Sequence, residues 1–572
     1  MEFDTLLVHA RIADVFRYRL FEGWIGIRDG RFLAVEAGGA PPGIRATETL
    51  DLAGRIVMPG LIDSHLHIES SLLTPRRFAE AVLPFGTTTI LSDPHEVGNV
   101  AGEEGVKWMI AASQDLPLRI YHSIPSCIPA TSPDIEWTHE VFDAATIRRL
   151  ARQPSVIALG EVMDYRGLLG PNERLRAIVQ AARADGLLIE GHIPTLAGID
   201  LSQYLGHGIS SDHTLTFAAK IREQISKGLA VMLQTKSVTP ENVAAVADLP
   251  DRSQIILITD DIEPSLLVDG HLSRIVALAI ECGMPPLEAI AAATIRPARY
   301  LGLRDHGAIA PGKLADFLVM DDIAAFPPAQ VYVGGQLVAQ AGAMDAPVTR
   351  ENPAQPDYPG IPGSFVPEDF RLDTNGGGGS VQAQVVALQD KHSTLTNLDQ
   401  VAVRLQDGQV QFQDGDGLAL ASVIARDESS RTVGLIANTG LREGAWASSV
   451  AHDCHNLLVI GRSPDAMAQA AKAVHAMGGG VAVAARGEVI ASLQLPFFGL
   501  LSDEPVAEVA QGLAAVEDAM RRIGAHQTRP FLTFSIMSLS VSPYAKFTDK
   551  GLVDTESRKL IRPFYPADES VV

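Results

Sequence analysis

The stretch Pro59-Gly60-Leu61-Ile62-Asp63-Ser64-His65-Leu66-His67-Ile68-Glu69-Ser70 decides the reading of this chain. The preceding run, Ile56-Val57-Met58-Pro59-Gly60-Leu61-Ile62-Asp63, is short and apolar, as a strand entering a core would be. Residues two apart in a strand point to the same side, so His65 and His67 face one point while Leu66 packs behind them. An isolated His-x-His is as readily a pair of hydrogen-bonded core histidines as a pair of metal ligands. The rest of the chain has to decide between the two.

Working outward, short strand-like segments alternate with helix-like ones over residues 59–305. The strands end at Asp63-Ser64-His65, Thr88 to Asp93, Arg119 to Ser123, Val156 to Glu161, Leu187 to His192, Gly208 to His213, Leu229 to Leu233 and Ile255 to Asp260. Eight β/α units of this kind predict a (β/α)8 barrel, a TIM-like fold whose active sites form at the C-terminal ends of the strands. Those ends carry His65, His67, Glu161, His192, His213 and Asp260. Four imidazoles and two carboxylates in one place are costly to bury unless they are paired or hold cations. A nitrogen and oxygen donor set without thiolate suits divalent manganese, iron or zinc, and Glu161 is placed to bridge two ions.

The barrel segment is flanked by short apolar runs and turns, at residues 1–58 and again at 306–348. These predict one small β-sandwich domain split between the two stretches. A proline-rich linker, 349–380, leads to a separate C-terminal α+β domain, 381–572. The run Gly376 to Gly379 is expected to be an exposed loop.

Composition excludes several functions. The 572 residues exceed what one core organises, and 46% of them are hydrophobic. A net charge of −22 argues against a nucleic-acid partner, whose phosphates need concentrated Lys and Arg. Three cysteines (Cys127, Cys282 and Cys454) are too few for a disulfide framework and suit a reducing cytoplasm. Neither a leader segment nor a membrane span is expected.

With these residues in hand, the chain resembles the adenine deaminase family of the amidohydrolase superfamily. Pro59 to His67, the single histidines after the fifth and sixth strands, Asp260 and the split β-domain carry the superfamily resemblance. The family resemblance rests on Gly160-Glu161-Val162-Met163, where many relatives use a carboxylated lysine, and on Ser92-Asp93-Pro94-His95-Glu96, Gly191-His192 and Ser211-Asp212-His213. In the C-terminal unit it rests on Ala447 to Asn456, Gly499 to Pro505 and Lys546 to Asp554.

The resemblance implies a binuclear aminohydrolase that converts adenine, or a close 6-aminopurine such as an N6-substituted adenine, to hypoxanthine and ammonia. His65, His67 and Glu161 would hold one ion, and Glu161, His192 and His213 the second. Asp260 would ligate an ion or orient the attacking hydroxide. Asp93 and Glu96 resemble the family's proton-shuttling carboxylates, with Glu96 serving the ring nitrogen. A homodimer is also implied.

Two departures bear on the substrate. Gln234-Thr235 stands where the family commonly carries Arg-Glu, and Thr214 stands where many relatives place an acid. With His122, these make Gln234 and Thr235 the candidate pocket residues. His452, Asp453 and His455 either approach the active site, form another metal site or organise a turn. A cyclic-amide hydrolase and an inactive scaffold are the alternative readings.

Overall fold

The computed structural model describes residues 2–372, 379–406, 409–413 and 415–565. The expected loop at Gly376 to Gly378 lies outside the described residues, while Gly379 opens a strand, Gly379–Leu388. Two compact units make up the chain. The first comprises the described residues up to 94 together with 109–125 and 143–353; the second comprises 95–108, 126–142 and the described residues from 354. Residues 95–108 and 126–142, which the sequence places inside the barrel stretch, thus pack within the second unit.

The first unit contains the eight expected parallel strands: β1 (Leu61–Leu66), β2 (Thr87–Ser92), β3 (Arg119–Ile124), β4 (Val156–Val162), β5 (Leu188–Gly191), β6 (Ser211–Asp212), β7 (Ala230–Leu233) and β8 (Ile255–Leu257). They are hydrogen-bonded as a run of five, β5-β4-β3-β2-β1, and a run of three, β6-β7-β8. Between the runs, Ser210 N–H donates to Ile189 O at 2.9 Å. At the other end Leu66 bridges Asp260, and Asp260 N–H donates to His65 O at 3.2 Å. Every residue of β1 and β2 is buried, as strands covered on both faces must be. The intervening helices carry ordinary start signals. Asp143 accepts from the N–H groups of Ala145 and Thr146, Asn172 caps Glu173–Ala184, and Thr239 with Pro240 opens Pro240–Ala247.

Strands from both flanks of the barrel stretch join in one nine-stranded sheet. Ile56–Pro59 lies parallel to Glu2–Asp14 on one side and antiparallel to Phe317–Met320 on the other. It then runs through Gly60 straight into β1. A β-carbon at Gly60 would fall 2.2 Å from Thr88 Oγ1, so only glycine lets this entry lie against β2.

The second unit holds a ten-stranded sheet and a three-stranded one. Helix Pro464–Ala476 buries its alanine- and methionine-lined face in the core of the larger sheet. Segment 126–142 is tied in by buried polar contacts. Glu136 accepts from Thr131 N–H, from Ser540 Oγ–H and, at 3.1 Å, from the Cys454 thiol. Trp137 N–H donates to Asp549.

Candidate metal centre and active site

At the C-terminal ends of the first unit's strands, His65, His67, Glu161, His192, His213 and Asp260 come together. Glu161, on β4, organises them. Its Oε1 lies 3.3 Å from His67 Nε2, while its Oε2 lies 2.5 Å from His192 Nδ1 and 3.2 Å from His213 Nε2. Asp260 Oδ1 stands 3.7 Å from His67 Nε2 and 3.9 Å from His65 Nε2. One ligand atom from each of His65, Glu161 and His213 falls within 4.8 Å of the others, and the same holds for His65, His67 and Asp260. The His65 and His213 rings stack with centroids 3.9 Å apart.

The tautomers fit a cation. His65 Nδ1 faces Glu190 Oε2 at 3.2 Å, and His65 Nε2 is buried with no hydrogen-bond partner. His67 Nδ1 donates to Asp93 O at 3.1 Å. Each of these rings therefore turns the lone pair of Nε2 toward the carboxylates, as metal-ligating histidines do when the other nitrogen is held. An orphaned buried nitrogen beside two carboxylates is the arrangement a divalent ion would complete.

Charges in the cluster are strongly coupled. Burial alone would raise Glu161, but the His213 and His192 imidazoles hold its carboxyl well below the usual range. Burial opposes protonation of His213, yet Glu161 and Asp260 carry it up to about 9. Burial, reinforced by His213, drives His65 down to about 3. Glu190 is pushed well above the ordinary carboxyl range by burial and then by Asp93.

Asp93, immediately after β2, accepts from Glu161 N–H at 3.2 Å, so it lies against the Glu161 backbone. Glu96 sits on the first turn of helix His95–Ala112. Gln234 donates to Asp260 Oδ2 at 2.6 Å and to His213 O at 3.3 Å, which commits its amide to the cluster. Thr235 is exposed and lines a separate cavity of about 370 Å³ with Asp261 and Leu266. His122 is fully buried, with Nδ1 3.3 Å from Ser155 Oγ, and burial alone lowers it to about 3. Thr214 donates to Ile193 O and to Asp212 Oδ1 and accepts from Lys220.

Sequence reasoning passed over Glu190, Asp63 and Asp212. Glu190 lies on β5 and precedes His192, the residue just past the end of that strand, by two. Asp63 accepts from Thr259 Oγ1 and from the N–H groups of Thr259 and His65, tying β1 to the end of β8. Asp212 accepts from Ile193 N–H at 3.0 Å and pairs with Lys220 at 2.9 Å, holding the turns that follow β5 and β6.

The chain matches the amidohydrolase family over residues 56–338 and the adenine deaminase C-terminal domain over 393–559. Relatives similar along nearly the whole chain include adenine deaminase of Nitratidesulfovibrio vulgaris, 38% identical over 97% of this chain and 95% of that protein. Adenine deaminase of Klebsiella pneumoniae is 36% identical over 99% and 94%. Adenine deaminase 2 of Oenococcus oeni is 34% identical over 98% of each. This chain belongs to the adenine deaminase family.

Proposed function

We propose that the chain hydrolyses adenine to hypoxanthine and ammonia, with two divalent ions held by His65, His67, Glu161, His192, His213 and Asp260. The observation that carries this reading is the division of Glu161, one oxygen toward His67 and the other toward His192 and His213. A carboxylate so divided is what a bridge between two cations requires. Manganese or iron suits the donor set, and zinc is also compatible. When bound, such ions supply Lewis acidity and lower the pKa of water so that it attacks near neutral pH.

The chain's own residues do the rest. Asp260, anchored by the Gln234 amide, orients the attacking water and accepts its proton; Asp93 assists at the same water. Glu96, three residues beyond Asp93, delivers a proton to the ring nitrogen beside the amino-bearing carbon. The water oxygen bonds to that carbon, the carbon–nitrogen bond breaks, and the amino group leaves as ammonia with the proton Asp260 took from water; the hydroxyl left on the carbon gives up its own proton as it becomes the carbonyl, and that proton restores Glu96 to its acid form.

Adenine itself is favoured over an N6-substituted purine. Gln234 and Thr214, the departures that pointed elsewhere, are occupied within the protein. The cyclic-amide alternative leaves Asp93 and Glu96 without a task. The working form is a homodimer of the cytoplasm, and light scattering of the purified protein checks the dimer. The test of function is ultraviolet spectrophotometry of metal-loaded protein with adenine, N6-methyladenine and cyclic amides. Absence of adenine turnover overturns the proposal. Glu96→Gln is expected to lose at least a hundredfold in kcat with full metal content.

A further inference from the structure

Within the second unit, Glu96 is buried between two imidazoles from one loop. His452 Nδ1 lies 3.2 Å from Glu96 Oε1, and His455 Nε2 lies 3.6 Å from Glu96 Oε2. All three side chains present a ligand atom within 4.8 Å of one another, the spacing of a metal site. The hydrogen bonding around His455 argues otherwise. Its Nδ1 accepts from Ala451 N–H at 3.1 Å, and the backbone N–H of His455 donates to Ala451 O at 2.8 Å. Burial, followed by the neighbouring His452 and Arg426, holds the ring well below the ordinary imidazole range, so it is neutral. A neutral ring whose Nδ1 lone pair is already engaged carries its single proton on Nε2. That nitrogen then faces Glu96 with a hydrogen and not with the lone pair a metal needs.

The backbone also invests in this placement. His455 has φ of 53°, a left-handed conformation that a residue with a β-carbon adopts only when its surroundings over-determine it. Those surroundings include Arg426, fully buried, whose Nε donates to His455 O at 2.7 Å and whose Nη2 donates to Phe498 O at 3.0 Å. His452 is fixed in turn, with N–H donating to Ser535 O and its own O accepting from Ser538 Oγ.

We infer that His455 is a positioning residue: its Nε2–H, set by the Ala451 N–H on the opposite side of the ring, faces the Glu96 carboxyl across 3.6 Å without a hydrogen bond in this structure and closes on it with substrate bound, orienting the carboxyl for proton delivery. The inference rests on the reading that Glu96 is the proton donor to the ring. It assigns work in the reaction to the loop Ala451 to His455 of the C-terminal part, whose role the sequence left open between ligation, approach and a plain turn.

Two near-isosteric substitutions separate the ends of the ring. The amide of His455→Gln reaches the Nε2 position and keeps a donor toward Glu96; His455→Asn keeps an acceptor at the Nδ1 position and loses that donor. We expect His455→Asn to lower kcat ten- to a hundredfold with KM for adenine changed less than twofold, and His455→Gln to keep at least a third of wild-type kcat. Metal content, read by mass spectrometry, should be unchanged in both. Full activity in Asn with loss in Gln would make His455 a turn residue and overturn the inference, as would equal loss or equal retention in the two. A drop of one ion per chain in both would establish a metal site instead. An active Glu96→Gln enzyme would remove the proton-delivery reading beneath it, whereas an inactive Glu96→Gln beside a fully active His455→Asn would overturn this inference alone. Should neither variant fold, nitrogen NMR of ring-labelled histidine in the wild-type enzyme still reads the tautomer, with accessible histidines removed from the spectrum by alkylation. A buried neutral ring protonated at Nε2 is expected, and finding every buried neutral ring protonated at Nδ1 overturns the assignment.

Discussion

A β-carbon at residue 160 would fall 2.1 Å from Asp93 Oδ2, so Gly160 is the space that lets Asp93 lie against the backbone of Glu161. Gly160→Ala is therefore expected to expel the carboxylate and reduce kcat at least tenfold while the fold persists, measured by steady-state kinetics beside circular dichroism. Glu190 acts through His65 Nδ1. Glu190→Leu leaves that buried nitrogen without a partner and frees the ring to turn, so metal affinity should fall about 10- to 100-fold. Chelator competition measures it, and Glu190→Gln, which retains an acceptor, should lose much less. The ligand-type residues at strand ends were legible in the sequence because their side chains have few other reasons to recur there. Glu190 was not, since its value depends on a partner, His65, that is distant in the chain and adjacent only once β1 and β5 share a barrel. Gln234 was read as a pocket residue because its bond to Asp260 also depends on closure of the barrel.

Among the elements, all eight barrel strands were visible in the sequence, most of them as short apolar runs ending in polar residues. Their division into five and three was not, because β6 is only two residues long and its neighbour across the gap is met by one backbone bond. Strand Ala545–Thr548 carries a different anomaly. Lys546 is fully buried, its ammonium donating to Thr394 O and Thr396 Oγ1, and burial lowers it to about 7. Between that value and the lysine's ordinary one, the unfolded chain binds more protons than the folded one, so stability rises with pH through that window. The destabilisation is greatest at and below about pH 7 and fades as the unfolded lysine also loses its proton. Lys546→Met should accordingly raise the thermal midpoint at pH 7 by several degrees, with the gain shrinking toward pH 10. Calorimetry across that range checks the sign; a gain that grows with pH would be the wrong one.

Across the whole molecule, the candidate metal centre brings together the carboxylates Glu161 and Asp93, both buried, and the partly buried Asp260. Cations that bind only the folded state stabilise it by mass action. Stripping divalent ions with a chelator should abolish adenine turnover and lower the first unfolding transition by several degrees, and readdition of manganese should restore both. No helix of the described residues is long and apolar enough to cross a membrane.

The sheet that joins the two flanks of the barrel also sets a timetable for biosynthesis. Ile56–Pro59 waits for Phe317–Met320, so a ribosome must finish nearly the entire barrel before the strand leading into β1 gains its second neighbour. Until then a nascent chain exposes an open apolar edge. Chains released before Phe317 should aggregate, and those extended past the strand Ala343–Met344 should become soluble, a boundary that stalled-ribosome proteolysis can locate.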